Sequence, residues 1–271
     1  MTFFVTKMDG TKEPYNEDKI RTSAVRVGVP KLLQDQMLED IRSRLYDKIS
    51  TTEIFTLIKD FLHSTRSPYL ATKYNLKDAL SELGPSGYPF EKYVSLLLQA
   101  KGYECKINQI LNGACVSHEV DIVAKKDGTT YFIEAKFHKS PHQRTDVRVA
   151  LYIKARYDDL ASAHPNEMTL PWLITNTRFS TDAIKYAECQ QIQLTSWGYP
   201  KNQGIMDLIE ETHLHPITML EGLTQEDKMR LLKSGVVTCQ QLLDPQNHAL
   251  IPQQFLKNNM PELKALCQSA S

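Results

Sequence analysis

One run of seven residues, Tyr131-Phe132-Ile133-Glu134-Ala135-Lys136-Phe137, sets an acid and a base two positions apart in an otherwise apolar segment. Read as a strand, it sends alternate side chains to opposite faces. Phe132, Glu134 and Lys136 share one face; Ile133, Ala135 and Phe137 share the other. Charges that emerge side by side from an apolar strand need each other, a metal or solvent. The preceding run Glu119-Val120-Asp121-Ile122 puts Glu119 and Asp121 on one face, and a hairpin through Lys126-Asp127-Gly128 brings Asp121 towards Glu134. Two carboxylates and a lysine at one place suit phosphodiester hydrolysis. Hard oxygen ligands hold Mg2+, the cation polarises the phosphate and activates a water, and the lysine orients that water or offsets developing charge. Glu91 adds to the set. On a helix from Phe90, positions 91, 94, 95 and 98 share a face that is apolar at Val94 and Leu98, and closing off a metal site is a reason for an acid there. An E-x-K triplet alone is commonly a pair of solvated charges. The ordered set of helix acid, strand aspartate and E-x-K strand is what sets this one apart.

The elements needed to position these groups are legible around them. A helix runs from about Phe90 to Lys101 and stops at Gly102. Strands follow at Tyr103–Ile107, Glu119–Lys125 and Thr130–Phe137, then a helix over Thr145–Ala163, a strand at Pro171–Thr175, a helix over Thr181–Gln190 and a strand at Gln193–Trp197. This alternation predicts an α/β domain with a mixed sheet over residues 84–200. The Gly- and Pro-rich run 84–89 separates it from residues 1–83, which read as a strand at Phe3–Lys7, a turn at Asp9-Gly10 and helices at Glu17–Val27, Lys31–Lys48, Thr52–Thr65 and Tyr69–Leu83. Thr51 or Thr52 is the expected cap of the third helix. Residues 213–271 read as a small helical domain: Gly-bearing turns at Glu221-Gly222-Leu223-Thr224 and Ser234-Gly235-Val236-Val237, helices Gln225–Lys233 and Cys239–Leu243, then a polar tail. The fold class is thus multidomain, α+β and α/β.

Composition sets bounds on this picture. The 271 residues are 41% apolar and 24% charged, with 32 basic against 32 acidic side chains, so a nucleic-acid partner would have to meet a local basic face. Cys105, Cys115, Cys189, Cys239 and Cys267 show no C-x-x-C pairing, which reads as reduced thiols in a cytoplasmic protein. No run approaches the roughly 20 apolar residues of a membrane span.

The order Gly87-Tyr88-Pro89-Phe90-Glu91, Gly102-Tyr103, Glu119-Val120-Asp121-Ile122, Ile133-Glu134-Ala135-Lys136-Phe137 resembles the Mrr-like restriction endonucleases of the PD-(D/E)xK nuclease superfamily. The resemblance implies Mg2+- (or Mn2+-) dependent cleavage of DNA. It implies metal ligation by Asp121, Glu134 and the main-chain carbonyl of Ala135, Lys136 as catalytic lysine and Glu91 as helix acid. The Pro that often precedes the aspartate is Val120 here. His138, Lys139, His142, Gln143, Arg144, Lys154 and Arg156 are candidates for phosphate contacts, with a solvated mixed-charge surface as the alternative.

At the other end, Val5-Thr6-Lys7-Met8-Asp9-Gly10, then Glu13, Asn16, Lys19-Ile20, Ser23 and Arg26, with Ile49-Ser50-Thr51-Thr52-Glu53-Ile54, resembles the ATP-cone, the regulatory nucleotide-binding domain of ribonucleotide reductases. It implies an ATP or dATP site built on Val5, Lys7, Glu13, Asn16, Lys19 and Thr51. Lysines are suited to phosphates, Glu13 and Asn16 to base or ribose. Met8 stands where the family pattern has Arg. The two Gly-bearing turns of the tail resemble helix-hairpin-helix repeats, which present main-chain N–H groups to DNA phosphates. The combined expectation is a DNA endonuclease gated by a nucleotide effector, in restriction, defence or DNA repair, working as a homodimer or higher homo-oligomer. A catalytically inactive, nucleotide-sensing DNA-binding regulator is the alternative.

Overall fold

A computed structural model describes residues 3–7, 10–65 and 69–268, Tyr69 by its main chain alone. Two compact units divide the chain, Met1–Leu76 and Lys77–Ser271.

In the first unit, β1 (Phe4–Thr6) pairs antiparallel with β2 (Lys12–Pro14) and parallel with β3 (Ile49–Ser50). Helices α1 (Glu17–Arg26), α2 (Lys31–Arg44) and α3 (Thr51–His63) bury Ile20, Ala24, Met37, Leu38, Ile41, Ile54, Ile58 and Leu62 in one core with Val5 and Ile49. The Asn16 side chain caps α1 by accepting the Asp18 N–H at 2.8 Å. The cap of α3 is Ser50, not Thr51 or Thr52: its Oγ accepts the Glu53 N–H at 3.0 Å, and Thr51 is already the first helical residue. The helix expected over 31–48 stops at Arg44, because Lys48 turns left-handed (φ 68°) and donates its N–H to the Phe4 carbonyl at 2.8 Å, feeding β3 into the sheet. The helix expected over 69–83 is two shorter ones, α4 (Tyr69–Tyr74) and α5 (Leu76–Ser81). Met8 and Asp9, singled out in the sequence, lie outside the described residues.

The second unit starts its sheet region with α6 (Tyr88–Ala100), whose Tyr93, Val94, Leu97 and Leu98 are buried. There follow β4 (Glu104–Asn112), β5 (Ser117–Lys126), β6 (Thr129–Lys136), β7 (Arg144–Thr145), α7 (Val147–Ala163), β8 (Thr169–Thr175), β9 (Arg178–Phe179), α8 (Thr181–Cys189) and β10 (Gln193–Thr195). The main sheet is mixed, in the order β10-β8-β6-β5-β4. β4, β5 and β6 run antiparallel; β6, β8 and β10 run parallel. Asp127 (φ 49°) and Gly128 (φ 78°) both turn left-handed, the geometry a two-residue hairpin needs between β5 and β6. The parallel pairing of β6 with β8 requires a crossover, supplied by α7. Ala150 and Ile153 of α7 pack with Leu173, Ala183, Ala187 and Leu194. Asp159, further along α7, accepts the main-chain N–H groups of Cys115 and Val116 (2.7 and 3.2 Å) and thereby holds the β4–β5 turn.

After α9 (Ile205–Thr212) and α10 (Gln225–Lys233), the expected polar tail is a helix, α11 (Gln253–Cys267), with Phe255, Leu256, Leu263 and Leu266 buried. The tail and the sheet region belong to one unit. The Tyr93 hydroxyl donates to the Leu214 carbonyl (2.7 Å), the Thr218 hydroxyl to the Ala79 carbonyl (2.6 Å), and Lys228 pairs with Glu82 at 2.8 Å. Among the described residues no helix is long and apolar enough to cross a membrane.

Candidate active site

The β5–β6 ladder runs from Lys126↔Thr129 to Ile122↔Ile133. One step further a side chain replaces the strand-to-strand bond: Asp121 Oδ2 accepts the Ala135 N–H at 2.8 Å. Beyond that point β6 is held from its other side, with Glu134, Ala135 and Lys136 registered against Leu173, Ile174 and Thr175 of β8. Asp121 is thereby fixed beside the E-x-K strand by a main-chain bond, the juxtaposition expected from the sequence.

Glu91 reaches the same place from the first turn of α6. Its carboxylate folds back over the helix start, where a Cβ on Gly87 would meet Glu91 Oε1 at 2.9 Å. Burial, then Asp121, Glu134 and Glu119 in that order, push the Glu91 carboxyl up to about 7. Burial and the neighbouring Glu134 push Asp121 up to about 6, against the opposing pull of the Ala135 N–H and Arg156. Glu134 pairs with Arg156, which reaches in from α7 and also donates to the Glu119 carbonyl at 2.9 Å. Glu91, Asp121, Glu134, Ala135 and Lys136 line one open cavity of about 590 Å³.

This donor set fits a hard divalent cation. Acids crowded enough to hold protons near neutrality are relieved by a positive charge among them. Among the described residues no three His, Cys, Asp or Glu side chains form a metal site on their own. Two carboxylates, Asp121 and Glu134, would therefore need oxygen from the main chain or water to complete a shell. Ala135 is the residue between the E and the K of the triplet and lines the cavity.

The residues expected to touch phosphate divide. His138 is 7% exposed and faces inward, its Nε2 at 2.9 Å from Thr145 Oγ1. The Asn176 carboxamide accepts its N–H (2.9 Å) and donates to its carbonyl (2.8 Å), as a neighbouring strand would. His138 still lines the cavity, but its main-chain groups and Nε2 hold the chain as it leaves β6. Arg156 is likewise engaged with Glu134, and Lys154 with Asp158. Lys139, His142, Gln143 and Arg144 are exposed, and Lys139 and Gln143 stand at the cavity together with His138. Sequence reasoning missed the buried polar cluster Thr145, Thr175, Asn176 and Thr177. Its signal is the polar run Thr175-Asn176-Thr177 directly after the apolar strand.

In the first unit, Val5, Glu13, Asn16, Lys19 and Thr51 line a single pocket of about 200 Å³ with Ile20, Ile54, Phe55 and Tyr74. Lys7 and Lys19 both contact the Glu13 carboxylate at 2.8 Å, which lowers the Glu13 pKa. The six residues singled out for a nucleotide are therefore neighbours.

One of the two Gly-bearing turns of the tail has its amides engaged within the protein. The N–H groups of the second Gly turn are already bonded: Gly235 to the Leu232 carbonyl, Val236 to that of Leu231, and Val237 and Thr238 to the Gln241 side chain. A Cβ on Gly235 would meet Lys92 Nζ at 2.3 Å, so a lysine head from α6 covers the turn. These amides are not presented to a phosphate, which the helix-hairpin-helix expectation required.

Residues 84–197 match the family model described as Restriction endonuclease (Mrr_cat), and residues 215–267 the one described as AF1548-like, C-terminal. The first implies a nuclease; the second is the family shown for the tail. An uncharacterized protein of Archaeoglobus fulgidus is 42% identical over 147 residues, which make up 54% of this chain and 82% of that relative. The crystal structure of AF1548, a protein of unknown function, is 36% identical with a TM-score of 0.57, covering 67% of this chain and 98% of that one. Can2 from Sulfobacillus thermosulfidooxidans, solved with cyclic tetra-adenylate, is 15% identical with a TM-score of 0.32, covering 66% of this chain and 49% of its own; that likeness is too slight to bear on the site.

Proposed function

This chain belongs to the AF1548-like family, and from that premise we propose that it is a Mg2+-dependent DNA endonuclease whose centre is Asp121, Glu134 and Lys136. The observation that carries the reading is the bond from the Ala135 N–H to Asp121 Oδ2, which seats a second carboxylate beside the E-x-K strand in an open cavity. Asp121, Glu134 and the Ala135 carbonyl would hold the cation, which supplies Lewis-acid polarisation of the scissile phosphate. Lys136, on the same strand, orients the attacking water and offsets charge that builds on the phosphate oxygens. Glu91, whose carboxyl burial and the neighbouring acids push up, is placed to hold or hand on a proton in the cavity. Two copies of the chain would place one such centre on each DNA strand, which is the reason to expect a homodimer.

The pocket of Val5, Glu13, Asn16, Lys19 and Thr51 supports an ATP or dATP site of the ATP-cone type on residues 1–83, acting as the effector of cleavage. The inactive, nucleotide-sensing regulator keeps one observation in its favour: Arg156 already occupies Glu134, a group the cation would need.

Supercoiled plasmid incubated with the protein in Mg2+ or EDTA, with and without ATP and dATP, separates the readings. Mg2+-dependent nicking supports the nuclease, and a nucleotide effect on it supports the gate. Binding of plasmid without cutting, under every nucleotide, transfers the weight to the regulator.

A further inference from the structure

Arg148, Tyr152 and Arg156 recur every fourth residue and so make one stripe along α7. Arg156 is the inner end of it. Its side chain is 11% exposed and is held at three points: by Glu134, by the Glu119 carbonyl at 2.9 Å, and by the Tyr152 ring, whose centroid is 5.4 Å from its guanidinium carbon. Tyr152 thus lies one guanidinium away from a catalytic carboxylate, yet it is 60% exposed. Leu151 beside it is 46% exposed, and Ile110, registered against Glu119 across the β4–β5 ladder, is 77% exposed. An aromatic ring this exposed, braced on one side by a guanidinium, presents a face on which a flat group can stack.

The occupant has to satisfy two demands together. It must bring a phosphate to Asp121 and Glu134, and it must offer a flat surface to an aromatic ring backed by an arginine. A nucleotide adjoining the scissile phosphate does both when its base is out of the stack. A base inside an intact duplex has both faces covered by its neighbours and cannot do so. We propose that Tyr152, backed by Arg156, is a base-stacking platform beside the catalytic carboxylates, and that the substrate is DNA with an unstacked base at the cut: a single strand or a frayed or flapped end. The inference rests on the nuclease reading and names the substrate of that same centre.

The test is fluorescence anisotropy of labelled single-stranded and blunt duplex oligonucleotides with the full chain in EDTA, for wild type, Tyr152→Ala and Tyr152→Trp. Stacking on an aromatic residue, at about 1–3 kcal/mol per base, converts to a loss of roughly 5- to 150-fold in single-strand affinity for the alanine variant. Duplex affinity should hold, and tryptophan should restore single-strand binding. The exposed position keeps the fold out of the comparison, and circular dichroism checks it. Unchanged single-strand affinity in Tyr152→Ala, or equal losses on both DNAs, overturns the platform while leaving the nuclease reading intact. Loss of a dimer on sedimentation with DNA affinity unchanged overturns it too, and assigns Tyr152 to an interface between copies. A wild type that neither binds nor cuts either DNA removes the nuclease reading, and this inference with it.

Discussion

Protons and a divalent cation should compete for Asp121, and the size of that competition follows from the position of its carboxyl. A ligand carboxylate must be ionised to bind, so the apparent dissociation constant rises by a factor of 1 + 10^(pKa − pH). With Asp121 at about 6, affinity at pH 5 should be about elevenfold weaker than at pH 8, roughly 1.4 kcal/mol. An ordinary aspartate, at 3.8, would lose under about a tenth of its affinity over the same range. Calorimetric titration with Mn2+ from pH 5 to 8 measures this directly. Near pH 6 binding should also release about half a proton, visible as a heat that depends on the buffer. The same carboxyls carry a stability signature of known sign. Glu91 and Asp121 sit above their unfolded values, so between about pH 4 and 7 the folded state holds more protons than the unfolded one. The metal-free protein should lose stability as pH rises through that window, Glu91→Gln should flatten the loss, and Mn2+ should oppose it most above pH 7. Affinity flat from pH 5 to 8 with no proton release would refute the reasoning.

Arg156→Gln strands Glu134 in a pair whose side chains are 11% and 17% exposed. Breaking a fully buried pair costs about 3–5 kcal/mol, and partial solvent access reduces this to about 1–3 kcal/mol. Urea denaturation should show that loss without metal and a smaller one in Mn2+; a loss indifferent to Mn2+ argues against a cation at Glu134. Asn176→Ala leaves the buried His138 N–H and carbonyl without partners, at about 2–3 kcal/mol, and the His138 amide should lose protection in hydrogen exchange; retained protection would mean Asn176 does not hold the strand end. Lys19→Ala should weaken ATP or dATP binding roughly tenfold, the worth of one charge-assisted bond, and a wild type that binds neither nucleotide removes the ATP-cone reading.

That Glu91, Asp121, Glu134 and Lys136 come together was legible because these residues obey local rules. A period of two, a Gly-bearing turn and an apolar strand broken by Glu134 and Lys136 are all visible without tertiary information, and β5, β6 and α6 formed within a few residues of their expected bounds. The pairing of Arg156 with Glu134 was hidden because a helix has several faces and the sequence does not say which one turns towards Glu134. The bonds that His138 makes to Thr145 and Asn176 were hidden for a similar reason: those residues come from β7 and the end of β8, far along the chain. The last helix, α11, was hidden by prolines. Pro252 sits at its start and Pro261 inside it, yet Leu256, Leu263 and Leu266 keep the spacing of a buried face. The division of the N-terminal helices at Asn75 had no comparable marker.

The most direct test of the central claim combines metal binding with cleavage for wild type, Asp121→Asn and Lys136→Ala. Mn2+ titration and a DNA cleavage assay are run on the same preparations. The account predicts that Asp121→Asn loses both metal and cleavage, whereas Lys136→Ala binds the metal as wild type does and no longer cuts. Cleavage that survives in either variant, or metal binding that survives in Asp121→Asn, would contradict the assignment of this centre.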